Sequence, residues 1–452
     1  MKNFIQTLKN IWSIEELRNR ILFTLAMLFV YRIGSFVILP GVSRNALEGA
    51  ISGSPTDLLG LINVFSGGAF KNASIFALGI MPYITASIII QLLGFAVPYF
   101  QKLQQKEGES GRKKITQITR ILTVFITLVQ GAGYLSYLQT TQGAISPNID
   151  MGIFWISNII ILCAGTIFAM WLGEKITDKG IGNGVSLLIT IGIIATLPSA
   201  AIGEFTGQGN PFMFILVIAA FCLVTLATVL IVQGVRKIPI QFAKRIIGRG
   251  SNQMPMAGNR DYIPVKVNAA GVMPIIFAQA LMFLPGTIIQ FFTDPAAAAG
   301  NSVLNSLNDI TSVTYNVIYF LLVVLFTYVY TALLVNPQQY AEYLKRQNAF
   351  IPGVKPGKNT ADFIDTVTTR ITLPGSILLG FISILPAIVA GFGVNLALAL
   401  FFGGTSLLIL VAVVLDTLQQ IESYLLMRKY DGLVKSGRIQ SRSRIQGIGA
   451  NM

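Results

Sequence analysis

The chain has no histidine in 452 residues. That absence removes Ser-His-Asp and Cys-His nucleophile chemistry, the HExxH zinc motif and most protein metal sites, all of which use imidazole as base or ligand. Charge is also scarce: 12% of residues are Asp, Glu, Lys or Arg against 53% hydrophobic, with mean hydropathy +0.67. Such a balance is too apolar for a soluble fold. No Asp or Glu falls near the middle of an apolar stretch. Ion-coupled transport and intramembrane aspartyl proteolysis both need such a group, because an ionisable residue in hydrocarbon is costly and kept for work. There is no Gly-Lys-Ser/Thr phosphate loop. The chain therefore reads as no enzyme, with no cofactor and no metal. Cys163 and Cys222, the only cysteines, both lie in apolar stretches and read as unpaired packing residues.

What the sequence does have is long apolar runs. Crossing a bilayer core of about 30 Å takes roughly 20 residues of helix. Ten stretches qualify: Ile21–Leu39, Ser74–Phe95, Ile121–Leu138, Ile153–Leu172, Val185–Ile202, Phe212–Val232, Ala269–Phe292, Tyr315–Val335, Ile371–Ala390 and Leu396–Leu415. Helix is the expected form, since backbone polar groups must be satisfied within the segment. All 33 Lys and Arg residues except Arg32, Arg44 and Lys71 fall on alternate sides of these stretches. Basic segments stay in the cytosol, so both termini are expected there. Net charge is +14, and the long basic loops are expected to attract acidic lipid, RNA or protein.

The expected organisation is a cytosolic amphipathic lead-in over 1–20 without a cleavage site, then an N-terminal half over 21–202 and a C-terminal half over 203–415. A basic cytosolic tail occupies 416–452. Ten spans divide into two fives, and an odd repeat unit inverts its second copy. No residue-level repeat accompanies that count.

Three features interrupt the pattern. Leu58–Ala73 is apolar but too short to cross; it reads as a re-entrant segment or as an ordinary external loop. Two cytosolic loops, 235–268 and 336–370, are long and basic, a size often tied to function. Arg32 is the lone charge within a span, near its outer end, where snorkelling to the interface is the expected behaviour.

The strings NVFSGGAFKNASIFALGIMPYITASIIIQLL (Asn63–Leu93), KEGESGRKKITQITR (Lys106–Arg120), MWLGEKITDKGIGNGVSL (Met170–Leu187), KVNAAGVMPIIFA (Lys266–Ala278), NAFIPGVKPGKNTADFID (Asn348–Asp365) and FFGGTSLLILVAVVLD (Phe401–Asp416) resemble the SecY family, the channel-forming subunits of the Sec protein translocase. The resemblance runs in order along essentially the whole chain. It implies an all-α polytopic membrane protein, ten transmembrane helices in two pseudo-symmetric five-helix halves around a central pore, with a short re-entrant plug helix at 58–73. The function implied is a protein-conducting channel that passes unfolded secretory polypeptides and releases transmembrane segments laterally. Implied partners are SecE-like and SecG-like small membrane subunits, the SecA motor, the ribosome, signal peptides and nascent chains, and the lipid bilayer. The implied home is the bacterial plasma membrane.

The resemblance also assigns residues. A pore ring falls on Ile80, Ile84, Ile189, Ile193, Ile276 and Ile409, each close to the middle of its span. A conduit for polypeptide must leak no ions, and a narrow aliphatic waist that dewets provides that seal. Ile80/Ile84 and Ile189/Ile193 are spaced i,i+4 and share a helix face; β-branching stiffens them. Without the resemblance these isoleucines read as ordinary lipid-facing residues of their spans. Ile80, Ile84, Ser87 and Gln91 form one stripe that turns polar toward the cytosol, as a funnel wall does. Ser87, Gln91, Gln130 and Asn268 are expected to form a polar cluster at the lateral gate, or else helix-packing contacts. The plug resemblance covers Asn63, Phe65, Ser66, Gly67, Gly68 and Ala69, whose small residues are expected to nest beneath the isoleucines. Arg236, Lys237, Lys244, Arg245, Arg249, Lys355 and Lys358 are the expected ribosome or motor docking residues, with orientation of the loops as the plainer reading. Lys355 stands where many relatives carry Arg, and Gly250 where some carry a second basic residue. Lys lacks the bidentate fork of Arg, so motor coupling there is expected to be organised differently.

A small-solute transporter would need intramembrane charges that the spans lack. A poreless insertase would show a groove open to lipid rather than converging isoleucines.

Overall fold

The computed structural model describes residues 12–43, 63–105, 108–140, 144–146, 150–208, 211–242, 246–247, 254–255, 260–279, 281–282, 306 and 309–435. The helices run α1 (Glu15–Gly34), α2 (Met81–Ala96), α3 (Pro98–Gln105), α4 (Gly108–Thr140), α5 (Met151–Lys179), α6 (Gly184–Gln208), α7 (Pro211–Gln233), α8 (273–279), α9 (Val313–Leu334), α10 (Pro337–Arg346), α11 (Lys358–Gly391), α12 (Leu396–Ala399) and α13 (Gly404–Lys435). Among the described residues seven of them, α4, α5, α6, α7, α9, α11 and α13, are long and apolar enough to cross a membrane. Together with the short apolar α2 and with α1, they account for nine of the ten expected spans. Of the remaining one, 269–292, only the first part is described.

Several helices run beyond the apolar stretch that nucleates them. α5 continues to Lys179, α11 begins at Lys358 and α13 continues to Lys435, well into the segment expected to be tail. Two observed boundaries differ from expectation. The second span becomes helical only at Met81, because 74–80 is a chain of turns tied to the end of α1: Ile75 N–H donates to the Val37 carbonyl and Leu39 N–H to that of Ala73. The tenth is preceded by the separate turn α12, capped by Asn395, and becomes continuous only at Gly404, a left-handed position with φ +63°. Glu204 is buried in the last turns of α6 and accepts from the Asn395 N–H at 2.8 Å. Cys222 is exposed on α7 rather than packed, and Cys163 is half-buried on α5; both are free thiols.

Among the described residues the named strands all lie in the loops 235–268 and 336–370. β1 (Val235–Phe242) pairs antiparallel with β4 (Arg260–Lys266), Ile238 opposite Ile263, and on its other edge with β5 (Ala349–Phe350). A second, two-stranded ribbon joins β2 (Ile246–Ile247) to β3 (Met254–Pro255). The three-stranded sheet therefore unites both basic loops. Its inner face, Ile238, Ile240 and Val265, shares a small core with Leu344 of α10 and Ile364 of α11.

Helices approach closely where glycine removes the side chain. A Cβ on Gly165 of α5 would sit 2.3 Å from the Ile75 carbonyl oxygen. The turn 180–184 is held by three helices: the Ile181 N–H donates to Thr24, Gly182 to Gln420 and Gly184 to Thr177. Arg120 of α4 makes a two-pronged ion pair with Glu174 of α5, at 3.1 and 2.6 Å. Gly165→Val is expected to destabilise by about 1–3 kcal/mol or more through overpacking. Gly131→Ala, whose new Cβ meets nothing nearer than 3.7 Å, is expected to be tolerated. Thermal midpoints of the two variants in detergent test this.

Candidate functional site

Five of the six isoleucines singled out by the sequence share one apolar cluster. Ile189 and Ile193 of α6 and Ile409 of α13 are buried in one apolar cluster, with Ile84 of α2 and Ile276 of α8 packed against it. Four helices thus contribute to one point. Ile80, the N-cap of α2, belongs to the adjoining cluster of Tyr31, Phe76 and Leu188, where Ile84 also packs. Ile80 and Ile84 keep their helical relation through the Ile84 N–H to Ile80 carbonyl bond of 3.1 Å.

Residues 58–62 of the expected plug lie outside the described residues. From Asn63 the segment makes one helical turn and then a series of turns to residue 73, so that among the described residues it is a turn-rich coil and not an extended helix. It is hydrogen-bonded to itself. The Asn63 side chain accepts from Lys71 N–H at 3.0 Å, its carbonyl accepts from Gly68 N–H at 2.9 Å, and Ser66 Oγ accepts from Phe70 N–H at 3.1 Å. Gly67 and Gly68 both adopt left-handed φ, +66° and +86°, which carries a steric cost for any residue with a Cβ.

The sequence reading placed small residues against the isoleucines. In the structure larger residues join Ser66 and Ala69 there. Val64 and Phe65 are buried in the same cluster as Ile189, Ile193 and Ile409. Phe65 and Ser66 enclose a small void with Ile80, Ile84 and Ile189. Gly67 instead packs on the backbone of α6. Its Cβ would lie 2.7 Å from Gly192 Cα, and a Cβ on Gly192 would lie 2.6 Å from the Phe65 carbonyl oxygen. Ala69 is fully buried beside Phe76 and Ile80.

Two side chains from other helices hold this coil. Tyr134 of α4 donates to the Phe70 carbonyl at 2.8 Å, with the two rings 4.7 Å apart. Arg32 donates to the Gly67 carbonyl and lies over the Phe36 ring at 5.0 Å. Arg32 therefore does not snorkel outward; its guanidinium turns inward to the coil, half-buried. Its status as the lone charge in a span was the only signal available in the sequence, and Tyr134 gave none.

The polar stripe is present on α2, with a different partner. Gln91 Nε2 donates to Ser87 Oγ at 3.2 Å, and Gln91 Oε1 accepts from the Tyr330 hydroxyl of α9. Gln130 is half-buried on α4 and makes no side-chain hydrogen bond among the described residues. The Asn268 side chain is buried with its Oδ1 unpaired. Beside Gln91, Ile88, Ala270, Phe277 and Tyr330 form an apolar seam where α2 meets α8 and α9. Tyr330 was invisible to sequence reasoning because nothing in VYTALL marks it.

Of the basic loop residues, Arg236 and Lys237 stand exposed on β1, with Lys237 Nζ 4.7 Å from the centre of the Tyr262 ring. Lys355 and Lys358 are exposed at the turn leading from β5 into α11, where Lys355 carbonyl accepts from Thr360 at 2.9 Å. Lys244, Arg245 and Arg249 lie outside the described residues.

Comparison with known proteins places this arrangement. The family model SecY matches residues 74–418. The protein translocase subunit SecY of Chlamydia trachomatis is 38% identical over 461 residues, covering 96% of this chain and 99% of that one. That of Streptomyces coelicolor is 43% identical over 438 residues, covering 93% and 97%. Among solved structures, a protein-conducting channel superposes with TM-score 0.64 at 18% identity over 93% of this chain and 94% of that chain. A SecY whose plug domain is described as stabilising the closed channel and maintaining a membrane seal gives 0.61 at 19%, covering 93% and 94%. Sec61 in the canine ribosome–channel complex gives 0.60 at 18%, with the same coverage.

Tyr330→Phe leaves the Gln91 oxygen without its donor in a half-buried seam, an expected loss of about 1–3 kcal/mol. Replacing both partners, Tyr330→Phe with Gln91→Leu, is expected to recover most of that loss. A thermal-unfolding double-mutant cycle measures it, and additive effects would exclude the bond.

Proposed function

The chain belongs to the SecY family, and from that premise we propose that it forms a protein-conducting channel through a membrane, closed at mid-depth by an isoleucine collar with a plug seated against it. The observation that carries this reading is the meeting of Ile84, Ile189, Ile193, Ile276 and Ile409, from four helices, with Val64 and Phe65 of the coil in one apolar cluster. An uncharged aliphatic waist expels water and so blocks ions, yet has no fixed charge to trap a passing side chain. The stripe Ile84, Ser87, Gln91 gives the cytosolic side of the waist a polar wall. The seam of Ile88, Ala270, Phe277 and Tyr330 is the proposed lateral exit, where two helix groups meet by small apolar contacts and one polar bond rather than by continuous packing.

In this reading the ten spans form two five-helix halves, over 21–202 and 203–415. The membrane is the bacterial plasma membrane with both termini cytosolic, as the distribution of Lys and Arg supports. Arg236, Lys237, Lys355 and Lys358, on the sheet and its adjoining turn, are the docking residues for a ribosome or a SecA-type motor. Small SecE-like and SecG-like subunits complete the complex. The energy for transport comes from the partner, since the chain offers no nucleotide loop of its own.

Substituting the six collar isoleucines with Asn is expected to make the resting channel conduct ions in planar bilayers; a collar that stays as tight as wild type overturns the reading. Reversing Arg236, Lys237 and Lys355 to Glu is expected to weaken ribosome binding. Neutralising each phosphate-contacting residue is expected to lower the slope of log affinity against log salt by about 0.7–0.9. An unchanged slope removes these residues from the docking surface.

A further inference from the structure

We propose that Arg32 is a latch that seats the plug: its guanidinium, donating to the Gly67 carbonyl, sets how readily the coil leaves the collar. The inference rests on the channel reading and concerns the regulation of that same site. Four observations meet here. Arg32 is the only charge in α1 beyond its first two turns, and among the described residues no Asp or Glu pairs with it. Its hydrogen bond goes to a backbone carbonyl in the middle of the coil, not to its own helix. Its guanidinium carbon lies 5.0 Å from the centre of the Phe36 ring, which limits the directions it takes. And the carbonyl it holds belongs to the residue whose backbone lies directly on α6 at Gly192, one position before Ile193.

The geometry explains the chemistry of each part. A backbone carbonyl in a turn at membrane depth needs a donor, and a charged donor makes a stronger bond than a neutral one. Because the acceptor is main chain, the coil can change its side chains without losing the contact. Because Gly67 and Gly192 carry no Cβ, the coil settles far enough for Arg32 to reach. The contacts at the C-terminal end of the coil, Tyr134 to Phe70 and Leu39 to Ala73, tether that part to α4 and to the segment following α1. Arg32 acts on the part nearest the collar. When the coil leaves, the Arg32–Gly67 bond breaks while the Tyr134 tether stays, so the plug swings from a fixed base.

Arg32→Met keeps length and removes the donors. The purified variant, in planar bilayers without substrate, is expected to show resting open events on the order of ten- to a hundredfold more frequent than wild type, the factor that one hydrogen bond to a charged group is worth. Arg32→Lys, with a single donor group, is expected to fall between. Gly192→Ala reaches the same contact from the other side by pushing on the Phe65 carbonyl, with no change of charge. It is expected to leak likewise, and it decides the question if Arg32→Met does not assemble. The collar Asn variant is measured in parallel. A leaking collar variant beside sealed Arg32→Met, or beside sealed Gly192→Ala where Arg32→Met does not assemble, overturns the latch alone. A collar variant that stays sealed overturns the channel reading itself.

Discussion

Inside hydrocarbon a peptide group has no water to turn to, and that constraint shapes every part of this protein. Most of the chain answers it with helix. The segment 63–80 cannot, since it is mainly turns at the depth of the spans. Its polar groups are therefore met one by one: by its own Asn63 and Ser66, by Val37 and Leu39 at the end of α1, by Tyr134 and by Arg32. A coil secured by a few identifiable bonds is cheaper to displace than a helix in which every bond supports the next. The backbone against the proposed collar is thus a turn-rich coil with helices packed around it.

Close backbone approach is the second theme. Gly165 against Ile75, Gly184 against Gly173 and Gly67 against Gly192 are contacts in which an added methyl would sit between 2.0 and 2.7 Å from a neighbour. Lipid chains are as apolar as leucine side chains, so helices in a bilayer gain from proximity rather than from escaping water. The Gly67–Gly192 contact applies the same rule to a part proposed to move. At that contact the seat is backbone on backbone, with no side chain between.

Much of this was legible in the sequence. Apolar length placed nine of the ten spans because hydrophobicity over 20 residues is a strong, additive signal. The i,i+4 isoleucine pairs were legible because helical spacing fixes a shared face. Partners across helices were not. Gln91 was matched with Gln130 on polarity alone, whereas its partner is Tyr330, 239 positions away, and neither residue type nor spacing encodes that meeting. Nothing in the sequence showed that Phe65 would fill space beside Ser66 at the collar, or that Gly67 would meet the backbone of α6. Arg32 was noticed for its charge, yet a single sequence cannot say which way a long side chain turns. The sheet was hidden in the sequence by the charge of VRKIPIQF and RDYIPVK, though their alternation of exposed and buried residues has the period of a strand.

That sheet has a mechanical consequence. β1, β4 and β5 bind both basic loops into one plate, and the plate shares its core with Ile364, in the second turn of α11. α11 is 34 residues long, a rod of about 51 Å at 1.5 Å per residue, with Pro374 and Pro386 along it. Its outer half packs on α9, the helix that carries Tyr330. A push on that plate is therefore passed to the first turns of α11, and α11 in turn bears on α9.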